Sequence, residues 1–400
     1  MACIIKIPSK NSKGVVTFTT QERDKFILPN EDLQKNILSL KNRWVIGLHH
    51  NWHDFNFLYN PLFDFSMAGE TDLIEKDGKS IPVIPMDACN FSPNEFHFSN
   101  NDKFWDILYV ARAVYFKKIP EFFQIIRKLY DAGKMYRVLL ISPIPQECHT
   151  DPNSETGFCN IREMYDEMFS QAEQDLFTLL TIDYRSPFPF DIPTVAHFYR
   201  SSKIFVHSAD DERRCRVAGY AWATGMPVVC MDAVASLLPQ AKQIKPYIYL
   251  AKDYDDFTTL IDEAIYFVDS YQYNSESMRG AIEETSEIYT KDSLKKELAK
   301  YHSKTQTYES DTLFNLKNLD LRLGRHFGFG DGVNSIAWSI DSLVRYLHSQ
   351  SEELLREDIR QYDFERYITK YALFGKLERN NLYVEKYKFA KSTLLLLYEN

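Results

Sequence analysis

Short apolar runs rich in β-branched residues alternate with longer amphipathic stretches through most of this chain, and that alternation predicts strands and helices by turns. Cys3 to Ile7, Val15 to Thr19 and Trp44 to Leu48 read as strands among polar turns, followed by an aromatic-rich patch from His49 to Phe65. This first stretch predicts a small α/β or irregular region. In Ile81 to Pro93, IPVIPMDACNFSP, three prolines forbid helix and predict an extended connector. Beyond it, Trp105 to Val110 and Val138 to Ile141 read as strands. Ile119 to Ala132 carries Phe122, Phe123, Ile126, Leu129 and Tyr130 at helical spacing, and Met164 to Leu180 reads as a further helix. Ile204 to His207, Val228 to Met231 and Tyr247 to Ala251 are strand candidates, and Phe257 to Val268 is a helix.

Strands and helices alternating at this spacing predict a parallel sheet with helices on both faces. That Rossmann-like domain is placed over residues 94–305, after a reduced amino-terminal lobe and linker over 1–93. From about residue 310 the strand signal stops, and Ile336 to Leu347 and Leu354 to Leu373 are amphipathic. They predict an α-helical extension over 306–400 that packs on another lobe or makes the subunit contact of a homo-oligomer. Gly324 to Gly332, GRHFGFGDG, reads as a turn, since no strand precedes it and no Lys-Ser/Thr follows, as a phosphate loop requires.

Four hundred residues, 44% hydrophobic and 14% aromatic, supply cores for two or three domains and exclude global disorder. A net charge of −9 argues against nucleic acid as a partner, because a phosphate backbone calls for a dominant basic face. The six cysteines lack CxxC spacing and read as reduced thiols in a cytoplasmic chain. Cys148, His149 and Cys159 lack the second Cys/His pair of a structural zinc site, so no metal is predicted. No apolar run approaches the roughly eighteen residues of a membrane span, which leaves only peripheral contact through an amphipathic face.

The most informative segment is Tyr199 to Val229, YRSSKIFVHSADDERRCRVAGYAWATGMPVV. It predicts a buried strand, an acidic turn in which Ser208, Asp210 and Asp211 cap the next helix, and a stop at Gly225-Met226-Pro227 before a second strand. Ligands of open parallel sheets bind at the carboxyl ends of strands, so Glu212 is predicted to face a crevice. Arg112 and Lys117 follow the strand at Asp106 to Val110 and place two cations at a strand end, where they either meet an anion or cap the strand as surface charges. In HHNWHDF, His49 to Phe55, aromatic faces and the polar tips of His50 and His53 suit sugar binding; structural histidines or a metal pair at His49 and His53 are the alternatives. Arg213, Arg214 and Arg216 either help to bind an anion or pair with Asp210, Asp211 and their neighbours.

The same segment resembles the donor-site signature of retaining glycosyltransferases of the GT-B fold, family-4 type. There a strand leads to a Ser, a Glu, a second Glu after seven residues, and Ala-x-Ala-x-Gly-x-Pro-Val-Val. Glu212 matches the first glutamate, and Ala221, Ala223, Gly225, Pro227, Val228 and Val229 match the helix end and next strand. The second glutamate, which holds the ribose in the family, falls on Tyr220, a phenol that cannot accept two hydroxyls as a carboxylate does. Arg112 and Lys117 match the family's Gly-Arg and later Lys, with Ala111 replacing glycine. Pro85, Asp87, Phe91 and Pro93 resemble the interdomain linker, with Met86 where Asn is usual.

The resemblance implies transfer of a sugar from a nucleotide-sugar donor to a glycan, lipid-linked or other hydroxyl acceptor, with retention and without metal or cofactor. Glu212 would orient the transferred sugar, with His50 and His53 acting from the acceptor lobe. Arg112 and Lys117 would hold the pyrophosphate, and Ser208, Tyr220 and the backbone at Gly14 would line the donor. The alternative is a non-catalytic binding or scaffold protein with a partner-binding helical tail, in which Tyr220 marks a decayed nucleotide site.

Overall fold

The structure, a computed structural model, describes residues 3–6, 8, 13–50, 57–68, 73–84, 86, 92–99, 101–145, 148, 157–183, 190–212, 215–232, 248–270 and 287–302, with 344, 347 and 348 in the tail. The chain divides into two compact units. One comprises Met1–Met67, Asp72–Ile84 and Glu297–Asn400, and the other Ala68–Thr71 and Pro85–Lys296.

The first unit holds a six-stranded sheet in the order β1 (Cys3–Lys6), β2 (Gly14–Thr19), β3 (Trp44–His49), β4 (Phe65–Met67), β6 (Lys79–Ile84), β5 (Leu73–Lys76). The inner strands β2, β3, β4 and β6 run parallel, and β1 and β5 pair antiparallel at the edges. Every residue of β2 and β3 is buried, as expected of a parallel sheet covered on both faces. The helix Glu31–Leu40 starts at Asn30, whose Oδ1 accepts from the Leu33 N–H at 3.0 Å, and buries Leu33, Ile37 and Leu40, spaced one turn apart. This region is therefore more regular than its sequence suggests. Of the predicted connector, Ile81 to Ile84 belongs to β6, residues 85 and 87–91 lie outside the described residues, and the boundary between units falls at Pro85. Pro82 pairs with Leu73 of the edge strand β5 and precedes Val83 and Ile84, the residues of β6 that pair with β4. In the tail Val344 and Leu347 are buried, and His348 lies 2.9 Å from the Asn36 carbonyl and 3.0 Å from Ser39 Oγ. Gly324 to Gly332 and the helix expected over Leu354 to Leu373 lie outside the described residues, as does most of Ile336 to Leu347.

The second unit holds six parallel strands in the order β12 (Ile248–Ala251), β11 (Val228–Met231), β10 (Ser202–His207), β7 (Trp105–Val110), β8 (Val138–Ile144), β9 (Phe177–Asp183). The chain lays down β7, β8 and β9 outward in one direction, then returns to the middle and lays down β10, β11 and β12 in the other. Ligands of such sheets bind at the carboxyl ends where the order reverses, between β7 and β10. The core is built from Ile107, Leu108, Tyr109, Val138 to Ile141, Ile204 to Val206 and Val228 with Val229. The helix Ile119–Asp131, with Pro120 in its first turn, covers them with Phe122, Phe123, Ile126 and Leu129, the residues its spacing predicts.

Two elements differ from expectation. Met164 to Leu180 is not one helix: the helix Ile161–Met168 ends at Phe169, a single turn Gln171–Gln174 follows, and Phe177–Asp183 is β9. FTLLTID carries the β-branched Thr178, Thr181 and Ile182 and pairs along its whole length with β8, a tertiary contact that overrides the helical period. The helix after β10 starts at Arg216 with Cys215 at its N-cap, so Ser208, Asp210 and Asp211 do not cap it, and Glu212 lies in the preceding turn. The helix ends as predicted. Gly225, at φ 80°, donates to the Trp222 carbonyl at 2.9 Å and Met226 to the Ala221 carbonyl at 2.9 Å, which closes a left-handed C-terminal cap.

Cys148 and Cys159 form a disulfide, with Cα atoms 5.3 Å apart, contrary to the expectation of reduced thiols. Phe158 donates to the Ala113 carbonyl at 2.8 Å and Gly157 pairs with Val114, which folds this segment back onto the stretch after β7, and Cys159 follows directly. The pairing removes the observation on which the cytoplasmic expectation rested. Among the described residues Cys215 and Cys230 are free and buried, and no helix is long and apolar enough to cross a membrane.

Candidate functional site

The turns after β7 and β10 meet at the reversal point of the second sheet. After β7, Arg112 is exposed and Tyr115–Lys117 forms a single tight turn, which ends at Lys118 in a left-handed conformation, φ 52° and ψ 46°. Three hydrogen bonds fix this turn. Tyr109 Oη donates to the Lys117 carbonyl at 2.6 Å, and Ser208 Oγ reaches the carbonyls of Lys117 at 3.1 Å and Lys118 at 2.9 Å. Tyr109 comes from β7 itself and Ser208 directly follows β10, so both strands set the direction of the Lys117 side chain. Lys118 adds a bridge to Asp210 at 3.2 Å, and Tyr254 Oη donates to the Ser208 carbonyl at 3.3 Å.

The Lys117 ammonium donates to Oε2 of Glu212, and both residues are buried. The same oxygen lies 2.8 Å from Nε2 of His207, the last residue of β10, which has no exposure at all. Nδ1 of His207 is 3.9 Å from Cys215 Sγ. The ring lies nearly parallel to Phe205 at 6.3 Å between centroids and edge-on to Tyr109 at 5.7 Å. Burial would raise the Glu212 carboxyl, but the charges of His207 and Lys117 outweigh it and hold the group down at about 2. Burial would likewise discharge His207, but Cys215 and Glu212 overcome it and lift the imidazole to about 9. The Tyr109 phenol is pushed well above its ordinary range, chiefly by burial. The result is an ionised carboxylate held by two cations.

Ligand atoms of His207, Glu212 and Cys215 all lie within 4.8 Å of one another. They do not form a cation cage, because Glu212 faces Nε2 and Cys215 faces Nδ1. A zinc-sized ion needs its nitrogen, oxygen and sulfur ligands at about 2.0–2.3 Å from one point, and the two ring nitrogens of an imidazole point apart. Lys117 also occupies the carboxylate.

Of the residues singled out in the sequence, Lys117, Glu212 and Ser208 come together, with Arg112 on the turn after the same strand. Ser208 is fully buried and its hydroxyl is engaged in holding the Lys117 turn. Tyr220 packs in the core, stacked on Phe96 at 4.1 Å and edge-on to Tyr199 at 6.3 Å. In the first unit, Gly14 opens β2, where a Cβ would lie 2.6 Å from the Trp44 ring and 2.8 Å from Pro8. His49 and His50, at the end of β3, are buried, and His50 lies against Phe57 at 4.8 Å. His53, Arg213 and Arg214 lie outside the described residues. The sequence reading does not single out His207. Its signal is a polar residue closing an otherwise apolar central strand, five positions before a glutamate.

No protein-family model matches the chain, and no curated protein matches it. Among solved structures, the chain is similar to an α,α-trehalose-6-phosphate synthase of Burkholderia multivorans at 14% identity, covering 70% of this chain and 72% of that one with a TM-score of 0.44. It is similar to the corresponding UDP-forming enzyme of Burkholderia vietnamiensis at 12% identity, covering 70% and 73% with a TM-score of 0.47. It is also similar to a GtfA/B complex at 11% identity, covering 68% and 56% with a TM-score of 0.46. Likeness at this level assigns no residue a role; the chain is a mixed α/β protein whose site is described by its own geometry.

Proposed function

We propose that the chain is a glycosyltransferase whose second unit binds a nucleotide-sugar and which transfers the sugar, with retention and without metal, to a glycan, lipid-linked or other hydroxyl acceptor. The observation that carries this reading is the Lys117–Glu212 pair at the reversal point of a parallel sheet, a place that concentrates ligand sites. Lys117, with Arg112 on the same turn, suits a nucleoside diphosphate that leaves with growing negative charge. Glu212, kept ionised by its neighbours, suits the hydroxyls of the transferred sugar. In a front-face displacement the bond from the anomeric carbon to the phosphate oxygen breaks with its electron pair on the phosphate. The acceptor oxygen forms the new bond on the same face, and its proton passes to that phosphate oxygen. His50 and His53 of the first unit are proposed to act on the acceptor. Because the Tyr220 ring is packed between Phe96 and Tyr199, the ribose hydroxyls are proposed to be held by groups other than this phenol.

The packing of Tyr220 is also the one observation that favours a binding or scaffold protein without a working nucleotide site. Thermal shift with UDP-, GDP-, ADP- and CMP-sugars separates the two. Stabilisation by one donor, abolished by Lys117→Met and weakened by Arg112→Ala, is the expected result for the enzyme. Glu212→Gln should then remove the preference for the sugar nucleotide over its nucleoside diphosphate. No response to any nucleotide would overturn the enzyme reading.

A further inference from the structure

We infer that Glu212 holds Lys117 in reserve and that His207 is the positioning residue that releases it: when a diphosphate arrives, Lys117 leaves the carboxylate for the phosphate and His207 alone keeps Glu212 charged and aimed. This rests on the donor site proposed above and assigns that site its anion-exchange step. The exchange replaces one hydrogen-bond partner with another and forms no covalent bond.

Two cations meet the same oxygen of Glu212, in different settings. Lys117 reaches it on a long flexible stem from a turn whose backbone is pinned by Tyr109 and Ser208, so its ammonium is free to swing without disturbing the chain that carries it. His207 cannot swing. It is a strand residue with no exposure, its ring set between Phe205 and Tyr109 and its far nitrogen against Cys215. A buried carboxylate with one cation loses its only compensation when that cation departs, whereas one with two keeps a partner. Among the described residues, the other charged and titratable groups that contacts place around the pair are Tyr109 and Cys215 against the imidazole, and Lys118, Asp210 and Tyr254 at the mouth of the turn. Lys118 and Asp210 neutralise each other at 3.2 Å. Among the described residues this leaves the exchange to Lys117 and His207.

The inference predicts opposite signs for two neighbouring substitutions, which a purely structural histidine would not give. Titration calorimetry of the full chain with UDP, GDP, ADP and inorganic pyrophosphate reads them. Glu212→Gln removes the competitor for Lys117 and should tighten diphosphate binding about tenfold, the size of one charge-assisted hydrogen bond. His207→Gln leaves Glu212 dependent on Lys117 and should weaken binding by about the same factor. The double variant should bind like Glu212→Gln alone, since without the carboxylate His207 has nothing to hold. Wild-type binding in His207→Gln, or additive effects in the double variant, would overturn the inference while leaving the donor site intact. Absence of diphosphate binding in wild type and in Glu212→Gln alike would overturn both. Should His207→Gln fail to fold, ¹⁵N spectra of the wild-type imidazole at pH 8 decide: His207 doubly protonated both free and with pyrophosphate is expected, and loss of a ring proton on binding would overturn the exchange.

Discussion

Each unit closes a central strand with a buried histidine, β3 with His49 and β10 with His207, and the residues that follow the two strands differ. His207 faces Glu212 and Lys117, brought from a turn that lies 95 residues from the carboxylate in sequence. Beyond β3 the next residue, His50, donates its backbone N–H to the Met67 carbonyl at 3.1 Å and lays its ring against Phe57. A histidine after an apolar run is thus the same sequence signal in both units, and in the second unit the carboxylate of Glu212, five positions on, lifts the imidazole together with Cys215.

The largest expected break in this comparison is Glu212→Ala. It leaves two buried cations without their counter-charge and should lower the stability of the second unit by about 3–5 kcal/mol in urea unfolding. The expected loss of sugar transfer is a further about 10²–10³-fold in kcat. Gly14→Ala strikes the first unit instead, by driving a methyl into the Trp44 ring, and should cost about 1–3 kcal/mol. Diphosphate affinity of the variant should stay at the wild-type value, and a fall would tie Gly14 to the donor. Next comes pH. The raised His207 stabilises the fold fully below its unfolded value near 6.5, and this contribution is lost as pH rises through about 9. The lowered Glu212 contributes above its ordinary value of 4.5 and loses that as pH falls toward about 2. Denaturant midpoints should therefore fall between roughly pH 6.5 and 9 in wild type and stay level in His207→Gln, whereas His50→Gln keeps the slope. The smallest effect is expected from Tyr220→Phe, which preserves the stack on Phe96: less than about 0.5 kcal/mol in stability and no change in donor affinity. A large loss of affinity would bring Tyr220 into the site.

The parallel sheet of the second unit was readable because its strands are continuous apolar runs and its helix Ile119–Asp131 keeps a clean face. β9 was not, since FTLLTID differs little from an apolar helix segment until β8 pairs with it. At the site, Lys117 and Glu212 stood out by spacing and by family resemblance. The role of Ser208 did not, because it depends on the Lys117 and Lys118 carbonyls, 91 and 90 residues away, and the engagement of His207 did not, because an apolar strand ending in histidine does not say that the chain turns Glu212 back onto the ring. The same holds for Cys148 and Cys159, whose pairing follows from the fold-back of Gly157 and Phe158 onto Ala113 and Val114.

The reversal of strand order has a kinetic corollary. β7, β8 and β9 follow one another along the chain, so their half of the sheet can assemble from comparatively local contacts. The seam between β7 and β10 joins Leu108 to Phe205 and must wait for a long loop to close. Lys117 and Glu212 lie on opposite sides of that seam. Their ion pair therefore reports completed folding of the second unit, and a nascent chain that ends before β10 holds the cation without its carboxylate.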